Sequence, residues 1–224
     1  MKTLIATSLI LLSFTQFSYS QLINNIGIKG GVTFSNADFK YTSGFDPSFV
    51  KPNWGFNGSV FAEFLNSKYF NLVLEPGYEQ RGFSFEIIKT DEFGNETGRF
   101  NVYNNTHYIP VSVLGKFKFS SSPVSAYFTA GPRLDFYLGY NISYPDGELW
   151  NDEEELLENY EKVNFGFTLG AGLELSSIKK FRPFIEANYS PALNKSYETQ
   201  NLAVKDHYFN IKAGIYIFDF GKKK

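Results

Sequence analysis

The chain predicts an all-β protein: an eight-stranded, antiparallel, up-and-down transmembrane β-barrel with short periplasmic turns and four longer outer loops. Three features carry that expectation: unbroken two-residue alternation in several segments, an export signal at the N-terminus, and connections that alternate between long and short. Residues 162–175, KVNFGFTLGAGLEL, place Val163, Phe165, Phe167, Leu169, Ala171, Leu173 and Leu175 on one face, with Lys162, Asn164, Thr168 and Glu174 among the residues opposite. A period of two belongs to a strand, whose successive side chains point to opposite faces of its sheet. The preceding segment AYFTAGPRLDFYLG repeats the pattern, with Ala126, Phe128, Leu134 and Phe136 set against Tyr127, Thr129, Arg133 and Asp135. Strands with one greasy and one charged face, in an exported chain, fit a barrel whose lipid-facing and lumen-facing residues alternate.

The export signal is read over residues 1–20 and the barrel domain over 21–224. Lys2 supplies a positive start, Leu4 to Leu12 an apolar run, and Ser18-Tyr19-Ser20 a small-x-small cleavage site before Gln21. That apolar run is too short to cross about 30 Å of hydrocarbon as a helix, so it reads as a cleaved signal rather than an anchor. Localisation in the outer membrane follows if the rest of the chain is the barrel.

Composition removes other classes. The chain has no cysteine, which excludes a disulfide framework, a thiolate metal site, a cysteine nucleophile and a lipid-anchored lipoprotein. Aromatic residues make up 19% of it, with 25 Phe and 15 Tyr, as suits lipid-facing strands flanked by interfacial girdles. Removing Lys2 with the signal leaves 20 basic residues against 23 acidic ones, so nothing recruits nucleic acid. No cofactor is implied.

Eight strands are expected near 26–36, 55–65, 69–88, 102–119, 124–140, 162–175, 181–190 and 206–220. The connections Ala37–Trp54, Lys89–Asn101, Asn141–Glu161 and 191–205 are long, whereas Asn66–Lys68, Ser120–Pro123 and Ser176–Lys180 are short. An even-stranded barrel with both ends in the periplasm has that order of connections, and a soluble sandwich gives no reason for it. One strand does not keep clean parity. If Lys212 points inward, the closing Tyr216, Phe218 and Phe220 fall on the wrong face for an outward aromatic ending, and a bulge near Gly214 would correct it.

Parity also selects the interior. It collects Lys29, Glu63, Glu75, Arg81, Lys116, Arg133, Asp135, Glu174, Arg182, Glu186 and Lys212 as a charge network, joined by Glu79, Lys118 and Lys162. Charges of both signs in a narrow space must pair, because an isolated ion there is costly to desolvate. An eight-stranded barrel is just wide enough for side chains to fill it, so a plugged interior is expected, with an ion path or a small-ligand cavity as the alternative. The chain has two histidines, His107 and His207. Both sit near outer strand ends, where Ser190, Ser196, Glu198 or Asp206 would have to complete a lipid-modifying catalytic set, but their spacing proves no contact. The segment 141–161 crowds Asp146, Glu148, Asp152, Glu153, Glu154, Glu155, Glu158 and Glu161 together. It matches no defined calcium loop and reads as a solvated acidic loop, with cation binding or a basic partner as the alternatives.

The segments IGIKGGVTFSN, HYIPVSVLGKFKF and FGFTLGAGLEL, with RPFIEANYS and YFNIKAGIYIFDF, resemble the PorT-like outer-membrane β-barrel family over nearly the whole mature chain. The resemblance implies a barrel without a catalytic signature; one member of that family assists a protein-secretion system, and no functional residue carries over from it. The expectation is therefore a non-enzymatic outer-membrane barrel with a structural, accessory or partner-binding role, surrounded by outer-membrane lipid and meeting another envelope protein through its outer loops. The rival readings are a lipid-modifying enzyme and a narrow channel.

Overall fold

The computed structural model describes residues 23–41, 50–65, 67, 69–119, 123–143, 160–175 and 182–220, and the backbone of 149–150. The expected signal peptide, most of the acidic segment and the terminal Lys222–Lys224 lie outside these residues. Among the described residues there are ten strands: β1 (Ile23–Tyr41), β2 (Val50–Phe64), β3 (Phe70–Thr90), β4 (Glu96–Phe119), β5 (Val124–Ser143), β6 (Leu149–Trp150), β7 (Val163–Leu175), β8 (Pro183–Pro191), β9 (Tyr197–Glu198) and β10 (Leu202–Asp219). Eight are long. β6 pairs only with the end of β5 and β9 only with the start of β10, both at the outer rim.

The long strands run antiparallel in the order β1-β2-β3-β4-β5-β7-β8-β10, and β10 returns to pair with β1. The sheet is therefore a closed ring, which leaves no unpaired backbone edge to face hydrocarbon. Outward positions carry an apolar belt that includes Val32, Val60, Leu74, Val113, Phe128, Phe167, Ile185 and Ile211, all exposed on the barrel surface. Inward positions on the same strands carry Lys29, Glu63, Glu75, Lys116, Arg133 and Glu186, all buried. The alternation seen in the sequence is thus the inside and outside of the wall.

Three details differ from the sequence reading. Lys89–Asn101 is not a long loop: β3 and β4 stay paired from Phe70↔Phe117 to Thr90↔Glu96, and a turn at 91–95 closes them. Above the lipid both faces of a strand meet water, so the two-residue contrast that marks strands in the sequence fades while the pairing continues. Lys162 does not enter the interior; it is exposed, just before β7 begins, and its carbonyl accepts the Tyr137 backbone N–H at 3.0 Å across the outer rim. The bulge in β10 falls at Ile217 rather than at Gly214, since Ile26 pairs with Phe218 while Gly27 pairs with Tyr216. Parity holds as far as the buried Tyr216 and then switches, so that Phe218 and Phe220 are exposed, with ring centroids 6.0 Å apart.

A second bulge shapes the outer end. His107 pairs with Gly139 and Tyr108 with Tyr137, which leaves Leu138 as the extra residue on β5. A bulge turns the side chains that follow it to the opposite face. Here it brings Tyr140 to the same side as Tyr137, and both rings stack on Tyr160 at centroid distances of 5.8 and 5.1 Å.

Candidate functional site

The inward side chains form three tiers along the barrel. Near the periplasmic end, Glu63 on β2 accepts from Lys116 at 2.9 Å and Lys118 at 3.2 Å, both on β4, and from Asn25 and Asn71. The Tyr216 hydroxyl lies between Glu63 and Glu174, at 2.8 and 3.1 Å. Arg182 reaches Glu174 at 3.2 Å and closes this tier toward the periplasm. In the middle, Lys29 bonds Glu186 at 2.6 Å and Glu75 at 2.8 Å, while Lys212 bonds Glu75 at 3.1 Å. Toward the outside, Asp135 is shared by Arg81 at 2.9 Å and Arg133 at 2.8 Å, and Glu79 meets Arg81 at 3.2 Å.

All eleven residues of the charge network thus converge on the lumen, ten of them buried and Arg182 half-buried. The middle and outer tiers each hold two cations and two carboxylates, so their charges cancel. Buried ions are tolerated on that condition, because pairing offsets the cost of leaving water. Neutral donors complete the shells. Asn188 donates to Glu186 at 2.8 Å, Tyr127 donates to the same carboxylate at 3.0 Å, and Asn210 donates to Glu79 at 3.1 Å.

Apolar side chains on the inward face fill the space between the charges. Phe61, Val73, Leu114, Tyr127, Phe184 and Tyr216 form a buried cluster inside the barrel. Phe61 packs edge-on against Phe184 and Tyr216 at 5.5 and 5.3 Å, and the Lys116 ammonium sits 3.9 Å from the Tyr127 ring centre. Gly172 makes this packing possible: a Cβ there would run into the Tyr127 ring and the backbone oxygen of Ile185. Two voids in the lumen measure about 20 and 10 Å³. Each holds a single water at most.

The histidines stand apart from this network. His107 Nδ1 lies 2.6 Å from the Tyr78 hydroxyl and its Nε2 lies 2.9 Å from Asn141 Oδ1, so both ring nitrogens have neutral partners. His207 Nδ1 is 3.5 Å from Asp38. Neither histidine is joined by a hydrogen bond to Ser190, Ser196, Glu198 or Asp206. Ser190 instead bonds Thr168 at 3.1 Å. Among the described residues, no group of three or more His, Asp or Glu is arranged to hold a metal ion.

Above the outer tier the lumen opens into a cavity of about 180 Å³. Its walls include Phe39, Phe83, Tyr160 and Tyr197, and its polar lining includes Asn104 and Asp206. Phe39 meets Phe83 edge-on at 5.0 Å, and Tyr160 faces Tyr197 at 5.0 Å. Burial, and then the nearby Asp206 carboxylate, hold the Tyr160 phenol above its usual pKa range. The sequence signal for this cavity was weak, because its wall depends on the Leu138 bulge and on Tyr160, which lies outside every strand.

A closed eight-stranded ring with an apolar belt and an ion-paired lumen defines the class of small transmembrane barrels with filled interiors. The chain belongs to the outer membrane protein beta-barrel domain family, whose match covers residues 19–198, and it resides in the outer membrane. No curated protein matches the sequence. Among solved structures, the chain is similar to Neisserial surface protein A at 10% identity, covering 86% of this chain and 97% of that one, with a TM-score of 0.45. It is also similar to OprG from Pseudomonas aeruginosa at 10% identity, covering 88% and 97%, with a TM-score of 0.43. A third similarity is to the outer membrane protease OmpT from Escherichia coli, at 11% identity, covering 91% and 99%, with a TM-score of 0.45.

Proposed function

We propose that this protein is a non-conducting, non-enzymatic barrel that serves as an accessory of the cell envelope by holding a partner protein at its outer end. The observation that carries this reading is the length of the β3–β4 hairpin. β3 has 21 residues and β4 has 24, whereas a strand crosses the hydrocarbon in about 9–11. The surplus forms a paired ribbon standing beyond the lipid. Along it Ile88, Phe93 and Tyr103 are exposed, Phe93 at the tip by 87% of its surface. Apolar side chains held out on a stiff projection are what a partner surface needs. The ion-paired lumen supports the absence of conduction, and histidines without a hydrogen bond to Ser190, Ser196, Glu198 or Asp206 support the absence of catalysis. The PorT-like resemblance makes assistance to protein secretion or surface assembly the process that best suits such an accessory, reached after export by the N-terminal signal.

The test is co-purification from native membranes after mild detergent extraction. The intact protein is compared with a variant in which residues 87–100 are replaced by an Asn-Gly turn between the paired Glu86 and Asn101. A partner retained by the intact protein and lost by the shortened one supports the proposal, provided the shortened barrel still migrates faster on gels before boiling than after. A partner kept by both, or found with neither, overturns it.

A further inference from the structure

We infer that the cavity at the outer mouth is a binding site for a small organic cation, an ammonium group carried on an apolar body. The inference goes beyond the accessory role proposed above, which concerns the outer ribbon and not the lumen.

Charge accounting above the outer tier leads to it. Arg81 and Arg133 are matched by Glu79 and Asp135 at hydrogen-bond distance, so that tier carries no spare cation. Arg81 is further occupied on its faces, with its guanidinium carbon 4.5 Å from the Tyr108 ring centre and 4.0 Å from that of Tyr208. Asp206 lies beyond this closed set, on an inward position of β10 two residues above the buried Tyr208. Ser196 hydrogen-bonds to it. Among the described residues, no lysine or arginine forms an ion pair with it. His207 pairs instead with Asp38 at 3.5 Å, and Lys195 with Glu198. Arg81 lines the same cavity and acts on Asp206 from a distance, but its ion pairs go to Glu79 and Asp135, so an ammonium on a ligand can complete the Asp206 carboxylate.

The rest of the lining suits the same chemistry. Phe39, Phe83, Tyr160 and Tyr197 surround the space, and aromatic faces attract a cation through their ring quadrupoles. Asn104 also lines it, with a buried Oδ1 that accepts no hydrogen bond, while its side chain bonds Tyr160. A carboxylate and a free amide oxygen are both acceptors, so they select a ligand that donates. The cavity, at about 180 Å³, is below the ~300–1,000 Å³ usual for drug-sized ligands, which sets the ligand at the size of a simple amine.

Three probes that share a phenylethyl body test this with the mature protein in lipid nanodiscs, against empty nanodiscs as the blank: 2-phenylethylammonium, 2-phenylethanol and 3-phenylpropionate. Calorimetric titration is expected to show saturable binding of the ammonium, binding of the alcohol weaker by about tenfold or more, and none of the carboxylate. Asp206→Asn is expected to weaken the ammonium about tenfold or more and to leave the alcohol unchanged. Should Asp206→Asn not fold, Tyr160→Leu against Tyr160→Phe gives an independent reading, since only the loss of the ring should weaken the ammonium. Equal affinity for all three probes, no saturable binding of the ammonium, or a ligand affinity indifferent to both positions overturns the inference.

Discussion

Lys29 on β1 and Glu186 on β8 meet at 2.6 Å inside the barrel, although 157 residues of chain separate them. Neither strand is the other's neighbour, because β10 runs between them. The pair therefore braces the wall across the seam where the first and last strands join. Lys29 also holds Glu75 on β3 at 2.8 Å, so one ammonium ties three strands together.

Removing that ammonium alone leaves two carboxylates facing each other in a lumen with almost no water. Lys29→Met should cost about 3–5 kcal/mol, the range for breaking a buried ion pair from one side. Lys29→Met combined with Glu186→Leu removes a matched pair and keeps Glu75 with Lys212, so it should recover much of that loss. Urea unfolding in lipid, followed by the gel mobility of unboiled samples, measures both. A double variant as unstable as the sum of its singles would show that the pair does not act as a unit.

The lipid belt is tested at Phe167, an outward side chain on β7. Phe167→Arg should lower stability in bilayers by about 2–4 kcal/mol if the site lies near the midplane. Lys162→Ala, at the exposed rim just before the same strand, should change stability by less than about 0.5 kcal/mol. Similar losses at the two sites would contradict the placement of the membrane.

The turn between β2 and β3 begins with a strained residue. Leu65 has a φ of 68°, in the left-handed region that disfavours branched and bulky side chains. Its side chain is 48% exposed, so little packing opposes a change. Leu65→Asn, which tolerates this conformation, should raise stability by about 0.5–1 kcal/mol. An unchanged or lower urea midpoint would place the strain elsewhere.

The outer tip is tuned by Asp91. Its carboxylate accepts from the backbone of Phe93 at 2.9 Å and of Asn95 at 2.8 Å, and from the Asn95 side chain at 3.0 Å. These bonds, the Asn95 side chain foremost, hold its pKa below the ordinary 3.8. A depressed acid contributes order that is complete above its unfolded pKa and is lost as the pH falls through the folded value. Amide exchange at Gly94, whose N–H donates to the Asp91 carbonyl at 3.0 Å, should therefore remain slow on acidification to the ordinary aspartate range and quicken only below it. Asp91→Ala should abolish that dependence.

Conduction offers a separate test. With paired charges and voids no larger than about 20 Å³, purified protein in planar bilayers should show no steady current. Reproducible single-channel steps would favour the channel.

The wall itself was legible because period two is unambiguous where one side meets lipid and the other meets paired ions. The inward Lys29, Glu75, Arg133 and Glu186 could be read for that reason. Phe61, Val73, Leu114 and Phe184 share the inward parity of Glu63, Glu75, Lys116 and Glu186, but an interior selected by charge passes over apolar residues and says nothing of the volume left between charges. The bulge in β10 was signalled by the parity conflict after Lys212, though three residues before its place at Ile217, whereas the bulge at Leu138 was hidden. One extra residue shifts the pattern by half a period and leaves no compositional mark. The cavity above the outer tier depends on the Leu138 bulge, which lets Tyr137 and Tyr140 stack on Tyr160, and on the Tyr160–Tyr197 bridge at the outer rim.

Closure between β1 and β10 joins the two ends of the barrel, from Asn25↔Asp219 to Tyr41↔Leu202, so it brings together residues separated by most of the chain. Contacts this distant cost the most loop entropy before they return any energy, and they make folding slow. Until the seam forms, the first and last strands are open edges with unsatisfied hydrogen-bonding groups, able to pair with any other extended chain. Release from the export machinery as a bare chain would therefore be the most hazardous moment in the life of this protein, and its yield in the cell should depend on how long those two edges wait for each other.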